Sequence, residues 1–182
     1  MPYEAPPHLA QLSLAEIAEQ VAARKLPPVE SWNPQQQTES FMRIAADGTW
    51  YHQGDPIKRD AMVRAFAGLL MRDDDGNHWL VTPYEKSAIE VEDAALIATD
   101  VAKREGGLAF RLNTDELVVA GPEHGLRAAG DAETPSIYLH VRRGIEARLN
   151  RSTYQQLADI ALSESDNWTV SSLGEKFSLL PE

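Results

Sequence analysis

The stretch DGTWYHQGDPIKRD, from Asp47 to Asp60, contains side chains that could contact a ligand. They are Trp50, His52, Lys58 and Arg59. An indole ring offers a stacking surface, and neighbouring cations attract negative charge. These residue types suit a flat anionic ligand. Asp47 and Gly48 have a simpler role, because Asp-Gly is a strong signal for a hairpin turn.

Two arginine-containing segments supply further candidates, FRLNTD and VRRG. A guanidinium group can bind carboxylate or phosphate through two parallel hydrogen bonds. Each segment also has a structural alternative, since Arg111 can pair with a nearby carboxylate and an Arg-Arg-Gly tip is often a solvated turn. The predicted ligand-binding set is Trp50, His52, Lys58, Arg59, Arg111, Asn113, Arg142 and Arg143.

The distribution of charge limits the class of partner. The chain carries a net charge of −11, which argues against nucleic acid because such binders neutralise phosphates with Lys and Arg. Residues 101–151 differ, with 8 basic and 7 acidic side chains. Of the 17 cations in the chain, 12 are Arg, a bias that a GC-rich genome would also produce. We therefore expect a small anionic ligand, with a protein partner as a second possibility.

Sequence signatures of catalysis are few. The chain has no GxGxxG, GxxxxGK, HExxH or GxSxG motif and no cysteine, so thiolate zinc sites and cysteine nucleophiles are excluded. Glu123 and His124 in GPEHG suggest a hydrolase acting with Asp93 or Asp115, but adjacent residues seldom converge on one metal ion. We assign no catalytic residue, metal or cofactor and favour a non-enzymatic protein.

The cellular setting follows from what the sequence lacks. The N-terminus has neither the basic patch nor the apolar core of a secretion signal, and no apolar run approaches the length of a membrane span. The absence of cysteine fits a reducing compartment. We predict a cytoplasmic protein without membrane contact.

The candidate residues must be positioned by helices and short strands. Apolar spacing predicts an N-terminal helix that begins at Leu14, where Ser13 and Glu16 form a capping box. The proline-rich KLPPVESWNP then reads as a surface linker anchored by Trp32. A second helix is predicted from Asp60 to Arg72 and is capped by Asp60 or by Asp55.

The order hairpin, helix, hairpin appears twice. The second copy turns at Gly144 and continues with a helix capped by Ser152. A β meander lies between the copies. We predict an α+β fold with about seven to nine strands and three helices, arising by internal duplication. The predicted divisions are an N-terminal helix and linker (1–37), a first α+β unit (38–92) and a second α+β domain (93–182).

Six segments in order resemble the bacterial domain-of-unknown-function family 1285. They are DGTWYHQGDPIKR, WLVTPYEK, VEDA, FRLNTD, VVAGPEHGLR and YLHVRRGIEARLNRSTYQQL. The resemblance implies a duplicated two-domain fold whose C-terminal half is superficially like a pleckstrin-homology domain. It also implies a nucleotide-like ligand at the domain interface and a role in signal transduction. The alternatives from the residues are a metal- or His/Glu-dependent hydrolase and a protein-binding scaffold.

Overall fold

The computed structural model describes residues 8–182, with only the backbone of residue 10. The first seven residues of the predicted 1–37 segment lie outside it. The described part of the chain contains three α-helices and fourteen strands, so the α+β class is confirmed and the predicted strand count is too low. The chain divides into two compact units, which we call unit 1 (8–24, 97–140 and 147–182) and unit 2 (25–96 and 141–146). The boundaries predicted from sequence stay predictions.

Unit 2 is built on a six-stranded sheet with one helix. Its elements are β1 (Gln36–Ile44), β2 (Trp50–His52), β3 (Asp55–Pro56), α2 (Asp60–Ala67), β4 (Leu70–Arg72), β5 (His78–Val81) and β6 (Glu85–Val91). The strand order is β3-β2-β1-β6-β5-β4. The central pair, β1 and β6, is parallel, whereas the other pairings are antiparallel. A short 3-10 turn at Val29–Ser31 precedes the sheet.

Unit 1 contains most of a second six-stranded sheet, two helices and a two-stranded ribbon. Its elements are a 3-10 turn (Leu9–Gln11), α1 (Leu14–Ala23), β7 (Leu96–Arg104), β8 (Gly107–Leu112), β9 (Leu117–Val119), β10 (Leu126–Gly130), β11 (Pro135–Arg142), β12 (Ile145–Leu149), α3 (Arg151–Glu164), β13 (Thr169–Ser172) and β14 (Glu175–Ser178). The sheet order is β10-β11-β12-β7-β8-β9, and β13 pairs with β14. The tip of the β11–β12 hairpin, residues 141–146, belongs to unit 2.

The two six-stranded sheets share one strand order. When the strands of each sheet are numbered from one to six along the chain, and the second sheet is read from its β9 edge, both orders are 3-2-1-6-5-4. The first and sixth strands are therefore neighbours at the centre of each sheet. The predicted order of hairpin, helix and hairpin is also present twice, around α2 and around α3. The helices nevertheless differ in position, since α2 lies between the third and fourth strands of its sheet and α3 follows the sixth. The two halves of the chain are therefore alike in the strand order of their sheets but not in the positions of their helices.

Buried apolar residues fix each unit separately. In unit 1, Leu9, Leu12 and Ile17 pack with Ala109 and Leu117, which places the apolar stripe of α1 against β8 and β9. In unit 2, the rings of Trp50 and Phe66 are stacked with centroids 6.4 Å apart. Ile44 on β1 and Leu70 on β4 are also fully buried in this unit.

The helix ends confirm one predicted cap and correct two others. Ser13 and Glu16 form the capping box predicted for α1. The second helix begins at Asp60 as predicted, but Arg59 is its N-cap and makes no side-chain cap bond. For α3 the cap is Asn150, whose side chain accepts from the backbone of Thr153, because the helix begins before the predicted Ser152 cap.

Helix α2 is shorter than the apolar spacing predicts. It ends at Ala67, and Leu70–Arg72 form β4 instead of a last helical turn. The apolar run AFAGLLM fits either structure, and pairing of β4 with β5 decides between them. The linker also differs from expectation, because Val29 is its buried residue while Trp32 is only half-buried.

Two-residue hairpins with glycine in second place account for much of the sheet structure. Gln53-Gly54, Glu105-Gly106, Arg143-Gly144 and Leu173-Gly174 all have positive φ at both residues. This geometry matches the twist of the flanking strands. The predicted turn at Gly144 is confirmed, and so is the turn at Asp47-Gly48, where Gly48 has φ +90°. Among residues 8–182 no helix has the length and apolarity needed to cross a membrane.

Candidate functional site

Trp50 and His52 share strand β2 but have different surroundings. Trp50 is 2% exposed and stacks with Phe66, so its ring is part of the core of unit 2. His52 is exposed. Side chains two positions apart on a strand share one face, so alternation does not separate them. Trp50 opposes the fully buried Ile44 on β1, whereas His52 is the last residue of β2 and is followed by the Gln53-Gly54 turn.

Lys58 and Arg59 lie in the exposed segment that leads from β3 into α2. Arg59 is the residue before the helix, and its backbone carbonyl accepts hydrogen bonds from Met62 and Val63. The exposed side chains of Lys58 and Arg59 are available to solvent on unit 2.

Arg143 is extensively hydrogen-bonded. Its side chain is 4% exposed and donates to the carbonyl oxygens of Pro27 at 2.8 Å and Gly68 at 2.9 Å. A longer bond of 3.4 Å reaches Leu70, and Nε donates to Glu30 at 2.7 Å. The hydrogen bond from Arg143 is the main reason that the pKa of Glu30 is lowered. The solvated turn considered as an alternative is wrong at this residue.

Arg142 and Arg111 also make identifiable contacts. Arg142 donates to the carbonyl oxygen of Ala67 at 3.0 Å, which links the hairpin tip to the end of α2 within unit 2. Arg111 forms an ion pair with Asp115, with Nη2 2.9 Å from Oδ1. The predicted carboxylate partner of Arg111 is therefore confirmed.

Asn113 is hydrogen-bonded to the backbone near the start of β7, within unit 1. Its side-chain oxygen accepts from the backbone of Ile97 at 3.1 Å, and its backbone N–H donates to the carbonyl of Ile97 at 2.8 Å. Such reciprocal bonds give Asn113 a structural role. Of the eight predicted residues, Arg111 and Asn113 lie in unit 1 and the others in unit 2. The ligand-binding role of the set stays a prediction.

A cluster that sequence reasoning did not select lies on one face of β10 and β11 in unit 1. Ile137, Leu139 and Val141 are buried on β11, so the alternate residues project to the opposite face. We call this cluster the basic face; it consists of Arg127, Ser136, Tyr138 and His140, together with Arg148 of β12, which is hydrogen-bonded to Ser136.

The contacts within the basic face hold a cation beside an aromatic ring. Arg127 is directly opposite Tyr138 in the antiparallel register, and its guanidinium carbon is 4.3 Å from the ring centroid. Arg148 donates to the hydroxyl of Ser136 at 3.1 Å. Tyr138 is half-buried and Arg127 is exposed. The cation–ring contact lies on the face that carries Tyr138, and the hydrogen bond brings a second guanidinium group to Ser136.

Two imidazole rings extend the basic face at one end. His124 and His140 are stacked with centroids 6.5 Å apart. Nδ1 of His124 donates to the carbonyl of His140 at 3.1 Å, and Nδ1 of His140 donates to the carbonyl of Glu123 at 3.0 Å. Because a carbonyl only accepts, each Nδ1 carries a hydrogen. In the neutral rings the lone pair is therefore on Nε2.

The pairing of strands explains why the sequence did not reveal the basic face. Arg127 and Tyr138 are eleven positions apart and meet only through the β10–β11 register. The alternation of SIYLHV was a usable signal, since it separates an apolar side from a polar side containing Tyr138 and His140. Its partner strand LRAAG is too short and weakly patterned to be recognised alone.

Comparisons with known proteins agree on one family. Residues 27–94 match the model described as the N-terminal domain of DUF1285, a domain of unknown function. Residues 95–179 match the model of the C-terminal domain. The chain belongs to the DUF1285 family. No curated protein matches it.

Two crystal structures of DUF1285 proteins are similar to this chain. One, from Silicibacter pomeroyi DSS-3, has 38% identity and a TM-score of 0.76, and the match covers 93% of this chain and 95% of that one. The other, from Shewanella baltica OS155, has 26% identity and a TM-score of 0.54, over 66% and 91% of the respective chains. The recognition from sequence and the two-domain DUF1285 fold are thus confirmed.

The residues named for the hydrolase alternative are not grouped as a metal site in the described part of this DUF1285 protein. Among the described residues, no three His, Asp or Glu side chains are grouped as a metal site. Asp115 is paired with Arg111, and Glu123 is exposed. His124 uses Nδ1 to bond a backbone carbonyl. These contacts describe a turn held by imidazole hydrogen bonds.

Proposed function

We propose that this protein is a non-enzymatic module that binds a small anionic, nucleotide-like ligand on the basic face of unit 1. The observation that carries the proposal is the guanidinium of Arg127 held 4.3 Å from the Tyr138 ring, with Arg148 bonded to the nearby Ser136. A phosphate or carboxylate group of a ligand can accept hydrogen bonds from the guanidinium groups, and a flat ring of the ligand can pack against the Tyr138 ring. A role in signal transduction follows if the bound state recruits or releases a protein partner.

The chemistry of the basic face favours a small ligand over a polyanion. The chain carries a net charge of −11, so long-range attraction of nucleic acid is weak. A small anion needs only local donors. Arg127 and Arg148 supply N–H groups, and the hydroxyls of Ser136 and Tyr138 can donate or accept.

A thermal-shift panel of nucleotides and other anionic metabolites tests the proposal. At a hundredfold excess over its dissociation constant, a ligand stabilises the folded protein by about 2.7 kcal/mol. For a protein of this size that energy raises Tm by roughly five to ten degrees. A hit is then measured by calorimetry at low and high salt, because ion pairing on an exposed face weakens as salt rises.

Variants locate the site and separate it from general charge effects. Arg127→Ala should weaken the hit by about tenfold or more, since a charged hydrogen bond is worth about 1.5–3 kcal/mol. Arg151→Ala is the matched control, because it removes one exposed cation from the start of α3 and should change affinity less than twofold. Arg111→Ala tests the set predicted from sequence. No shift across the panel, or a hit indifferent to Arg127→Ala, contradicts the proposed site.

A further inference from the structure

The first half of β1 is an open edge of the sheet in unit 2. Strand β1 pairs with β6 in both of its halves, but β2 pairs only with residues 42–44. In the part of the chain that the structure describes, no strand pairs with the other side of residues 36–40. Gln37 and Glu39 are exposed there. Unpaired N–H and C=O groups along such an edge are a template for another strand.

The alternation of the backbone along β1 decides which groups face this open edge. The carbonyl of Ile44 accepts from the backbone just beyond β6, whereas the carbonyl of Phe41 accepts from the turn after β2, on the opposite side. Odd-numbered residues of β1 therefore face away from β6. The irregularity in the β1–β6 pairing adds two residues to β1, so the alternation is the same before and after it. Gln37 and Glu39 thus direct their N–H and C=O groups to the open edge.

The open edge has a fixed backbone and lacks the residues that commonly prevent strand pairing. Thr38 and Ser87 share a hydrogen bond of 2.5 Å between their hydroxyl groups, and Ser40 donates to the carbonyl of Ala88 at 2.6 Å. Both bonds fasten this half of β1 to β6. Residues 36–40 contain neither proline nor lysine, which are the usual means of protecting an edge.

The outer strands of the same sheet are shielded by comparison. Strand β3 is two residues long and includes Pro56, which has no N–H to donate. On β4, the N–H of Arg72 donates to the carbonyl of Arg143 at 2.9 Å, so the hairpin tip occupies part of that edge. This contrast indicates that the edge formed by residues 36–40 is available to a partner strand.

The sequence of the open edge is complementary to itself in the antiparallel direction. When Thr38 is placed opposite Thr38 of a second copy, Gln37 of each copy lies opposite Glu39 of the other. Both residues face the edge, so each pair can exchange two backbone hydrogen bonds. The side-chain amide of Gln37 can also donate to the carboxylate of Glu39. Sliding one copy by two residues can instead bring two Glu39 carboxylates together, which is unfavourable.

We propose that two copies of this chain associate through their open edges, with residues 36–40 antiparallel about a two-fold axis that passes between the two Thr38 residues. The sheets that contain β1 in the two copies then form one continuous sheet. An isologous contact of this kind closes on itself and leaves neither edge exposed. The paired segment is short, so the dimer belongs to the class of small, reversible interfaces.

Sedimentation equilibrium and amide hydrogen exchange of the full chain test this dimer. Between about 10 μM and about 1 mM the average mass should rise from one chain toward two, with a dissociation constant of about 100 μM or tighter. The N–H groups of Gln37 and Glu39 should gain protection from exchange as the concentration rises. The N–H of Thr38 faces β6 and should be protected at every concentration. This alternation distinguishes edge pairing from association through another surface.

Two substitutions at Gln37 test the register with opposite signs. Gln37→Glu places a like charge opposite Glu39 of the second copy and should weaken association about threefold or more, because the two-fold axis repeats the pair. Gln37→Lys places a cation there and should strengthen association by a similar factor. Gln155→Glu and Gln155→Lys are the matched controls, since Gln155 is exposed on α3 of unit 1. They should change the dissociation constant less than about twofold.

Three results would overturn the proposal. They are a mass of one chain over the whole concentration range, association without added protection at Gln37 and Glu39, and Gln37 variants that shift association in the same direction. The N–H of Thr38 reports whether each Gln37 variant is folded, so a folding defect is not mistaken for a lost contact. The outcome is independent of the anion panel, which probes unit 1.

Discussion

Replacement of Arg143 by alanine tests whether this arginine stabilises the fold or is instead available to bind a ligand. Its side chain is 4% exposed, and the variant leaves the carbonyls of Pro27 and Gly68 without their donor. Each charged bond of this kind is worth about 1.5 kcal/mol at the low end of its range. The longer bond to Leu70 adds little, and Glu30 is 66% exposed, so that ion pair adds less than about 1 kcal/mol.

The expected loss from Arg143→Ala is therefore about 3 kcal/mol in the free energy of unfolding. This corresponds to a fall in Tm of roughly 6–12 °C for a chain of this length. Tryptophan fluorescence during urea unfolding is a suitable assay, because Trp32, Trp50 and Trp79 all lie in unit 2. The midpoint should fall while the slope with urea stays constant.

Two further variants separate the geometry of Arg143 from its charge. Arg143→Lys keeps the charge but lacks the planar fork that reaches two carbonyls, so it should lose about 2 kcal/mol. Glu30→Gln should lose less than about 1 kcal/mol, because its partner keeps the carbonyl bonds. A loss below about 1 kcal/mol for Arg143→Ala would refute the structural role. Full rescue by lysine would refute the importance of the fork.

The remaining predictions concern a turn, a pH dependence and an ion pair. Gly144→Ala places Cβ 2.7 Å from a backbone oxygen at φ +78° and should cost more than Gly174→Ala, whose Cβ meets nothing within 4 Å; the expected costs by urea titration are above about 2 and about 1 kcal/mol. Burial, with Coulombic help from a nearby guanidinium, lowers the pKa of His78 below 6.5. The neutral His78 contributes its full stabilisation above pH 6.5, and this contribution is lost as pH falls through the lower pKa of the folded state. The free energy of unfolding should therefore decrease below pH 6.5, and His78→Gln should reduce this dependence on pH. Glu116→Ala removes the 5% exposed partner of Arg24 and should cost about 2 kcal/mol in the same assay; a loss below about 0.5 kcal/mol would contradict it.

Local signals in the sequence predicted the elements that depend on few residues. The capping box at Ser13 and Glu16 and the turns at Gly48 and Gly144 are formed as expected, because each is decided by side chains or φ angles within one turn. The end of α2 was not predictable in this way. Residues from Leu70 onward satisfy both helical and extended patterns, and only the long-range pairing with β5 selects a strand.

The functional residues show the same distinction. A carboxylate partner for Arg111 was expected, because burying an unpaired guanidinium within a strand is costly, and the structure shows that this partner is Asp115, four residues along the chain. Arg143 bonds Pro27 and Gly68 at separations of 116 and 75 residues, which no local pattern reveals. The contact of Arg127 with Tyr138 likewise depends on strand register, and a shift of one residue would place the two side chains on different faces.

The shared strand order has a consequence for synthesis on the ribosome. In the first sheet, β1 ends at Ile44 and its central neighbour β6 begins at Glu85. At roughly 5–20 residues per second, the nascent chain needs a few seconds to supply that neighbour. Throughout the delay one edge of β1 is open to incorrect pairing with other chains. The second sheet has the same delay, between the synthesis of β7 and that of its central neighbour β12. There are therefore two periods during synthesis in which a chaperone could protect an unpaired strand edge.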